Sequence, residues 1–171
     1  NWDPSILFLA GQSAIQTNND DLAKEIYEIL NNKNPKEAEF ALPLSQVCLK
    51  LGDLDKAISI LNKAIKFNYD NPSLLSNLAI LLSEKGDYKK SEEIYLKVIK
   101  IAPRQFLGYY NYSLFLYNQN RFEDSLNSIN KALEIVPSAP EGKNIKKKIL
   151  ERLTSNKDAS TNIDKVYLAI E

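Results

Sequence analysis

Apolar residues recur at helical spacing along most of this chain, and short polar turns separate the helical runs. Between residues 71 and 103, apolar positions three and four residues apart predict two amphipathic helices. Gly86-Asp87 marks the turn between them, because glycine accepts the left-handed conformation that ends a helix and aspartate caps the next one. Pro103 stops the second helix. The segment is therefore expected to form a helical hairpin.

The hairpin pattern repeats along the chain with a period of 34 residues. Gly86 aligns with Gly52 one period earlier and with Asn120 one period later, and asparagine also tolerates the left-handed conformation. Two further positions keep the same register, one with small residues and one with large residues. They are Ala23, Ala57, Ser91 and Ser125, and Tyr27, Leu61, Tyr95 and Ile129. A fixed period of this length indicates stacked supersecondary units.

In these positions the chain resembles the tetratricopeptide repeat family, whose helical hairpins recur every 34 residues. The family prefers small residues at repeat positions 8 and 20, an aromatic residue at 24 and proline at 32, which in the third repeat are Ala79, Ser91, Tyr95 and Pro103. The resemblance implies an all-α fold, an α-solenoid of four helical hairpins with a C-terminal capping helix. The predicted repeats are residues 4–37, 38–71, 72–105 and 106–139.

A further helix is predicted to begin at Pro140, two periods after Pro72, and to cover residues 140–153. Repeat arrays need a terminal element that covers the last apolar face and is polar outside, so we interpret this segment as the capping helix. Its lysines are interpreted as the solvated side, with a patch for an acidic partner as the alternative. Residues 154–171 are predicted to be a tail or linker whose end can form a short helix, and self-association through the tail or cap is left open.

Pro43 departs from the repeat pattern, because it falls within the first two turns of a predicted helix. Proline there removes a hydrogen bond and crowds the carbonyl four residues earlier. We expect a late helix start or a slight kink. The alternative is a kink that widens the groove at this repeat.

Composition argues against catalytic and metal chemistry. The chain has no His and one Cys, Cys48, which lies at a packing position. Gly11-Gln12-Ser13 lacks the second glycine of a nucleophile elbow, and Glu92-Glu93 are adjacent on a helix and do not face each other. We therefore predict a protein that is not an enzyme and that uses no cofactor and no metal.

Charge and hydropathy limit the classes of partner that are expected. Lys plus Arg and Asp plus Glu both number 22, and this zero net charge argues against nucleic-acid binding, which needs a basic surplus. The apolar run 74–82 is too short to span a bilayer, so no membrane insertion is predicted. The start at Asn1 indicates a fragment or a processed product. Abundant Asn, Lys, Ile and Tyr are typical of an AT-rich bacterial genome, and cytoplasm and periplasm both remain open.

The first helix of each repeat has a second face, at repeat positions 2, 5, 6, 9, 12 and 13, which in the family lines a concave surface. A solvated face would carry Lys and Glu, whereas this one mixes apolar groups with amides, as binding surfaces do. Packing within a repeat does not account for Tyr110 and Tyr117, although some of the set can pack on the tail or on neighbouring helices. The predicted partner-binding residues are Phe8, Gln12, Ile15, Leu42, Gln46, Lys50, Asn77, Ile80, Glu84, Tyr110, Asn111, Leu114 and Tyr117.

The predicted function is that of a protein–protein interaction scaffold, which binds a peptide segment of a partner in its concave groove. Asn77 and Asn111 can make paired hydrogen bonds to a peptide backbone. Family members that bind chaperone carboxylates use basic residues where this chain has Leu42, Leu107 and Asn111, so an apolar or amide-rich peptide is expected instead. The alternative is a docking or dimerisation module of a larger polypeptide, whose catalytic or membrane-anchored part lies outside this chain.

Overall fold

A computed structural model describes the backbone of residues 3–168 and the side chains of residues 3–155. The described residues form nine α-helices and no β-strand, which confirms the predicted all-α fold. The helices are α1 (Pro4–Gln16), α2 (Asp20–Lys33), α3 (Ala38–Lys50), α4 (Leu54–Ile65), α5 (Pro72–Glu84), α6 (Tyr88–Ile101), α7 (Phe106–Asn118), α8 (Phe122–Ile135) and α9 (Pro140–Leu168).

A single left-handed residue forms the tight turn within each of four successive helix pairs. Asn18, Gly52, Gly86 and Asn120 have φ angles of 55°, 81°, 86° and 58°, and they are spaced 34 residues apart. The residue after the turn then caps the next helix, as when Asp53 accepts a hydrogen bond of 3.2 Å from the Lys56 N–H. The register predicted from the sequence is therefore confirmed at its turns.

Unit 1 (Asn1–Ile101) is the first of two compact units and contains α1 to α6. Each of its helices packs against the next one in the chain. Ala23, Ala57 and Ser91, which occupy the same repeat position, are all 0% exposed. Small side chains at this position allow the two helices of a pair to approach closely, and larger apolar residues fill the core beside them.

Unit 2 (Ala102–Glu171) contains α7, α8 and α9. Two buried hydroxyls join α7 to α8, since Ser113 Oγ donates to Ser125 O at 2.9 Å and Ser125 Oγ donates to Ser113 O at 2.7 Å. Gly142 brings α9 close to its neighbours, because a Cβ atom there would lie 2.9 Å from Leu133 Cδ2 and 3.2 Å from Phe106 Cε2. α9 therefore covers the end of this unit, as a capping helix does.

Pro43 does not delay its helix, so the expected late start is wrong. α3 begins at Ala38 and runs through Pro43 to Lys50. Proline at this point removes one N–H from the helix, the one that would bond to the Glu39 carbonyl, and the flanking residues keep helical geometry. The groove-widening kink stays a prediction.

α9 extends beyond residue 153, the predicted end of the capping helix, and includes residues 154–168 of the segment predicted as a tail or linker with a possible short helix. α9 continues to Leu168 because residues 154–168 contain neither Gly nor Pro. Thr154 Oγ1 and Ser155 Oγ donate to Glu151 O at 2.9 and 2.8 Å, so these hydroxyls are satisfied within the helix. Residues 169–171 of the predicted tail lie outside the described residues.

Candidate protein-binding face

Side-chain amides link α3 to α5 on the predicted binding face of unit 1. Gln46 Nε2 donates to Asn77 Oδ1 at 3.4 Å, and Asn77 Nδ2 donates to the Ser73 carbonyl at 2.9 Å. Gln46 is exposed and Asn77 is half-buried. Because an amide offers two donor hydrogens and an acceptor oxygen with two lone pairs, these contacts leave hydrogen-bonding capacity for a partner.

Lys50, at the end of α3, is already held by an ion pair. Its Nζ lies 2.8 Å from Asp20 Oδ2 and 3.2 Å from Asn18 Oδ1, at the turn between α1 and α2. The lysine side chain is 52% exposed, so solvent screens the pair and its net stabilisation is about 0–1 kcal/mol. The charge of Lys50 is therefore largely balanced by Asp20, although the lysine side chain stays accessible to solvent.

An apolar cleft of about 370 Å³ opens between α1 and α3. Phe8 lines the cleft, and its ring centroid lies 6.1 Å from that of Tyr27 and 5.9 Å from that of Phe40. Leu9 is 64% exposed beside it. The complete lining is Pro4, Ser5, Phe8, Leu9, Glu39 and Phe40. The cleft therefore combines an apolar surface with one hydroxyl and one carboxylate.

The other predicted residues of unit 1 divide between packing and exposure. Ile15 and Leu42 are half-buried and pack against the unit 1 core, as Phe8 does. Ile80 is half-buried, whereas Gln12 and Glu84 are exposed. Burial is the larger cause of the raised pKa of the Tyr95 phenol, and the negative charge of the Glu84 carboxylate raises that pKa further. The apolar members of the face in unit 1 are thus half-buried, and its polar members other than Asn77 are exposed.

In unit 2 the predicted face is aromatic, and packing accounts for it. Tyr110 stacks on Phe106 with a centroid distance of 5.4 Å, and Tyr117 lies edge-on to Phe122 at 5.5 Å. Both tyrosines and Leu114 pack against the unit 2 core. The expectation that packing leaves Tyr110 and Tyr117 unexplained is therefore wrong. A role for them in partner binding stays a prediction, as it does for the half-buried Asn111.

α9 reaches the same aromatic face through Arg152. Arg152 Nε donates to the Tyr117 hydroxyl at 3.3 Å, and this hydrogen bond raises the pKa of the guanidinium. The two residues lie 35 positions apart in the chain, so helical periodicity could not show that they meet. A contact with the predicted capping helix was one of the alternatives that the sequence left open.

Chemically reactive groups are scarce on this surface. In residues 3–155, no three or more His, Cys, Asp or Glu side chains come together as a metal site would require. Cys48 is 0% exposed, and burial raises the pKa of its thiol, so little reactive thiolate forms near neutral pH. Within the described part of the chain, no helix has the length and apolarity needed to cross a bilayer.

Family models confirm the repeat assignment. Three models described as tetratricopeptide repeat match residues 8–72, 49–110 and 108–138. The matches overlap and together extend from residue 8 to residue 138. They therefore include all the helices from α2 to α8.

Among curated proteins, a TPR repeat-containing protein of Methanocaldococcus jannaschii, MJ1428, is 44% identical over 54 residues. The match covers 32% of this chain and 10% of that protein. The matched segments thus span about a tenth of the length of the curated relatives. The similarity concerns the repeats and not the remainder of those proteins.

Solved structures share the fold over most of the chain at low sequence identity. TTC0263, a thermophilic TPR protein of Thermus thermophilus, superposes with a TM-score of 0.77 and 18% identity, over 89% of this chain and 82% of its own. YrrB, described as a TPR protein with an unusual peptide-binding site, gives 0.68 and 19%, over 84% and 74%. These likenesses show the fold, an all-α solenoid, and the four turns recur at the spacing of its repeats. The three matching family models show that the chain belongs to the tetratricopeptide repeat family.

Proposed function

We propose that this chain is a protein–protein interaction scaffold and that unit 1 binds an extended peptide segment of a partner. The observation that carries the proposal is the Gln46–Asn77 amide pair, which joins α3 to α5 on the same face as the apolar cleft of α1 and α3. A surface that offers apolar area beside hydrogen-bonding amides matches the chemistry of a peptide, which has both a polar backbone and side chains.

Each part of the face has a distinct role in this proposal. The cleft lined by Phe8, Leu9 and Phe40 takes an apolar side chain of the peptide, since burial there removes apolar area from water. Gln46 and Asn77 then exchange hydrogen bonds with the peptide backbone, and Gln12 extends the row of amides on α1. The fold relative YrrB is described as having a peptide-binding site, which supports this use of the fold.

The proposal includes no catalytic step and assigns no role to a metal. The four predicted residues of unit 2, Tyr110, Asn111, Leu114 and Tyr117, are proposed as a secondary contact region. The predicted lack of nucleic-acid binding and the self-association left open by the sequence stay predictions.

A docking or dimerisation role within a larger assembly is the second proposal, and one observation favours it. Ile6 on α1 is 58% exposed, whereas Phe40 and Leu74, at the same repeat position of α3 and α5, are 5% and 0% exposed. The side of α1 that carries Ile6 could therefore pack against a helix of another molecule. Light scattering across a range of protein concentrations tests for a dimer, which Ile6→Asp should abolish, and a constant monomer mass would reject self-association here.

Selection from a peptide library displayed on phage tests the peptide-binding proposal. Wild-type protein should enrich related sequences that carry an apolar anchor, and a Gln46→Ala, Asn77→Ala variant should lose most of that enrichment. The matched control is Asn32→Ala, Asn62→Ala, which removes two exposed amides from α2 and α4. Failure to enrich any sequence, or equal enrichment by both variants, would reject this face as the site.

A further inference from the structure

The outer side of α9 differs from the corresponding side of α7. Leu150 lies one period after Leu116 and is 43% exposed, whereas Leu116 is 1% exposed. In the repeat that contains Leu116, α8 packs on α7 as the second helix of the hairpin. In residues 3–155, no helix covers α9 in this way. We propose that this side of α9 is a docking surface for an acidic amphipathic helix of a partner protein.

Within the described residues, no segment of the chain covers this side of α9. Lys147 occupies the repeat position at which the four earlier helices carry small residues, Gly11, Ser45, Ala79 and Ser113, all of them buried. A lysine there prevents the close approach of a hairpin partner, and α9 continues to Leu168 where the earlier first helices end in a turn. The position of a second helix is therefore left open.

A shallow cleft of about 530 Å³ lies along this side of α9. Leu150 supplies apolar surface, and three lysines line the cleft with it. The lining residues are Lys143, Lys146, Lys147, Leu150, Glu151 and Thr154. The aliphatic stems of lysines can lie along a docked helix while their charged ends reach its acidic side chains.

Charge selects an acidic partner. Residues 140–155 contain five basic and two acidic side chains, a local charge of +3 in a chain whose net charge is zero. Within this segment Lys147 Nζ lies 4.0 Å from Glu151 Oε1, which is the limit of an ion pair. Complementary carboxylates on a partner would be attracted to this surface and oriented by it.

Helical geometry favours a helix over other acidic ligands. In each of the four repeats the second helix packs against the first, and Ser125 of α8 donates a hydrogen bond to Ser113 of α7, at the repeat position of Lys147. An amphipathic helix with a leucine stripe would contact Leu150, and glutamates beside the stripe would meet the lysines. Nucleic acid is less favoured, because Leu150 offers no aromatic ring on which a base could stack.

Fluorescence anisotropy with a designed peptide tests the proposal on the full chain. The probe is a fluorescein-labelled helix of about 16 residues, with leucines spaced three and four apart and glutamates on either side of them. We expect micromolar affinity at low salt that weakens as ionic strength rises. Lys146→Glu should weaken binding by about tenfold or more, which a charge reversal at a contact can produce.

Lys148→Glu is the matched control, since it makes the same charge change on the same helix outside the cleft. It should weaken binding by less than about threefold, as expected of a screened charge away from the contact. Leu150→Asn should weaken binding without changing the net charge. The Gln46→Ala, Asn77→Ala variant should bind as wild type does, which separates this surface from the peptide face of unit 1.

Four outcomes would overturn the proposal. They are the absence of binding at millimolar peptide, equal effects of Lys146→Glu and Lys148→Glu, wild-type affinity in Leu150→Asn, and tighter binding of a single-stranded oligonucleotide than of the acidic peptide. Circular dichroism of each variant checks its fold, and every substituted residue is half-buried or exposed at the surface, so folding should be kept.

Discussion

Unit 1 and unit 2 carry equivalent repeat positions on their first helices but fill them with different chemistry. In unit 1, Gln46 and Asn77 keep their amides at the surface beside an apolar cleft. In unit 2, Tyr110 and Tyr117 lie against Phe106 and Phe122. The same face of the repeat thus presents hydrogen-bonding capacity in one unit and packs aromatic rings in the other.

The difference shows that repeat position alone does not decide whether a side chain binds or stabilises. An exposed amide contributes little to folding, so it can be used for recognition at small cost in stability. A tyrosine ring beside other rings is stabilised by burial and edge contacts, and much of its surface is no longer available to a partner. In unit 2, α9 strengthens this effect through the contact of Arg152 with Tyr117.

The largest expected effect tests the register on which the comparison depends. Ala57→Trp places a large ring at a position that is 0% exposed between α3 and α4, and it should destabilise the protein by about 3 kcal/mol or more. Urea unfolding followed by circular dichroism measures the change. The control Asn62→Trp, at an exposed position of α4, should change stability by less than about 0.5 kcal/mol. Similar midpoints for the two variants would contradict the assigned register.

Tyr117 tests whether the aromatic face of unit 2 is structural. Tyr117→Ala removes a half-buried ring that contacts Phe122, and the free energy of unfolding should fall by about 2 kcal/mol. Tyr117→Phe removes the hydroxyl that accepts from Arg152 and keeps the ring, so the loss should be below about 0.5 kcal/mol. Thermal unfolding of both variants gives the comparison. An unchanged unfolding midpoint for Tyr117→Ala would contradict a structural role and favour a role in partner binding.

Cys48 reports on packing in unit 1, because it is the one cysteine of the chain. Its pKa is raised by burial, so the thiolate fraction at pH 8 is lower than for a free thiol. Labelling with a chromogenic disulfide should be at least about 100-fold slower in the native protein than in urea, because the folded core also blocks access. Rapid native labelling would show that the α3 core position is open.

The smallest expected effect concerns the two amides of unit 1. Gln46→Ala with Asn77→Ala should change the free energy of unfolding by less than about 0.5 kcal/mol, since the bond between them is long and largely exposed. Urea unfolding beside the Asn32→Ala, Asn62→Ala control measures this. A loss comparable to that of Tyr117→Ala would mean that the amides hold unit 1 together, and the contrast between the units would disappear.

Local sequence predicted the turns between paired helices well. The glycines at 52 and 86 predicted positive φ because glycine adopts it readily, and the 34-residue period predicted the same conformation for Asn120. Asp3 precedes Pro4 at the start of α1, and its carboxylate accepts from the Ser5 N–H at 2.8 Å. These features depend on a few neighbouring residues, so a sequence contains nearly all the information that they require.

Contacts between distant residues limited the prediction of the site. Tyr117 is held by Phe122 and Arg152, and the meeting of α9 with α7 depends on how unit 2 packs. The cleft between α1 and α3 includes Phe40, at repeat position 3, which is not one of the positions assigned to the second face. One signal for it was the aromatic residue Phe40 one period after Ile6, but its pairing with Phe8 needs the packed helices.

The central claim is that unit 1 binds a peptide through the amide-bearing face of α1, α3 and α5. A nuclear magnetic resonance titration tests it most directly, because the side-chain NH₂ groups of Asn and Gln give their own signals. Adding a selected peptide should shift the signals of Gln12, Gln46 and Asn77 and leave those of Asn32 and Asn62 in place. Shifts confined to Asn32, Asn62 and the backbone of α2 and α4 would contradict the claim.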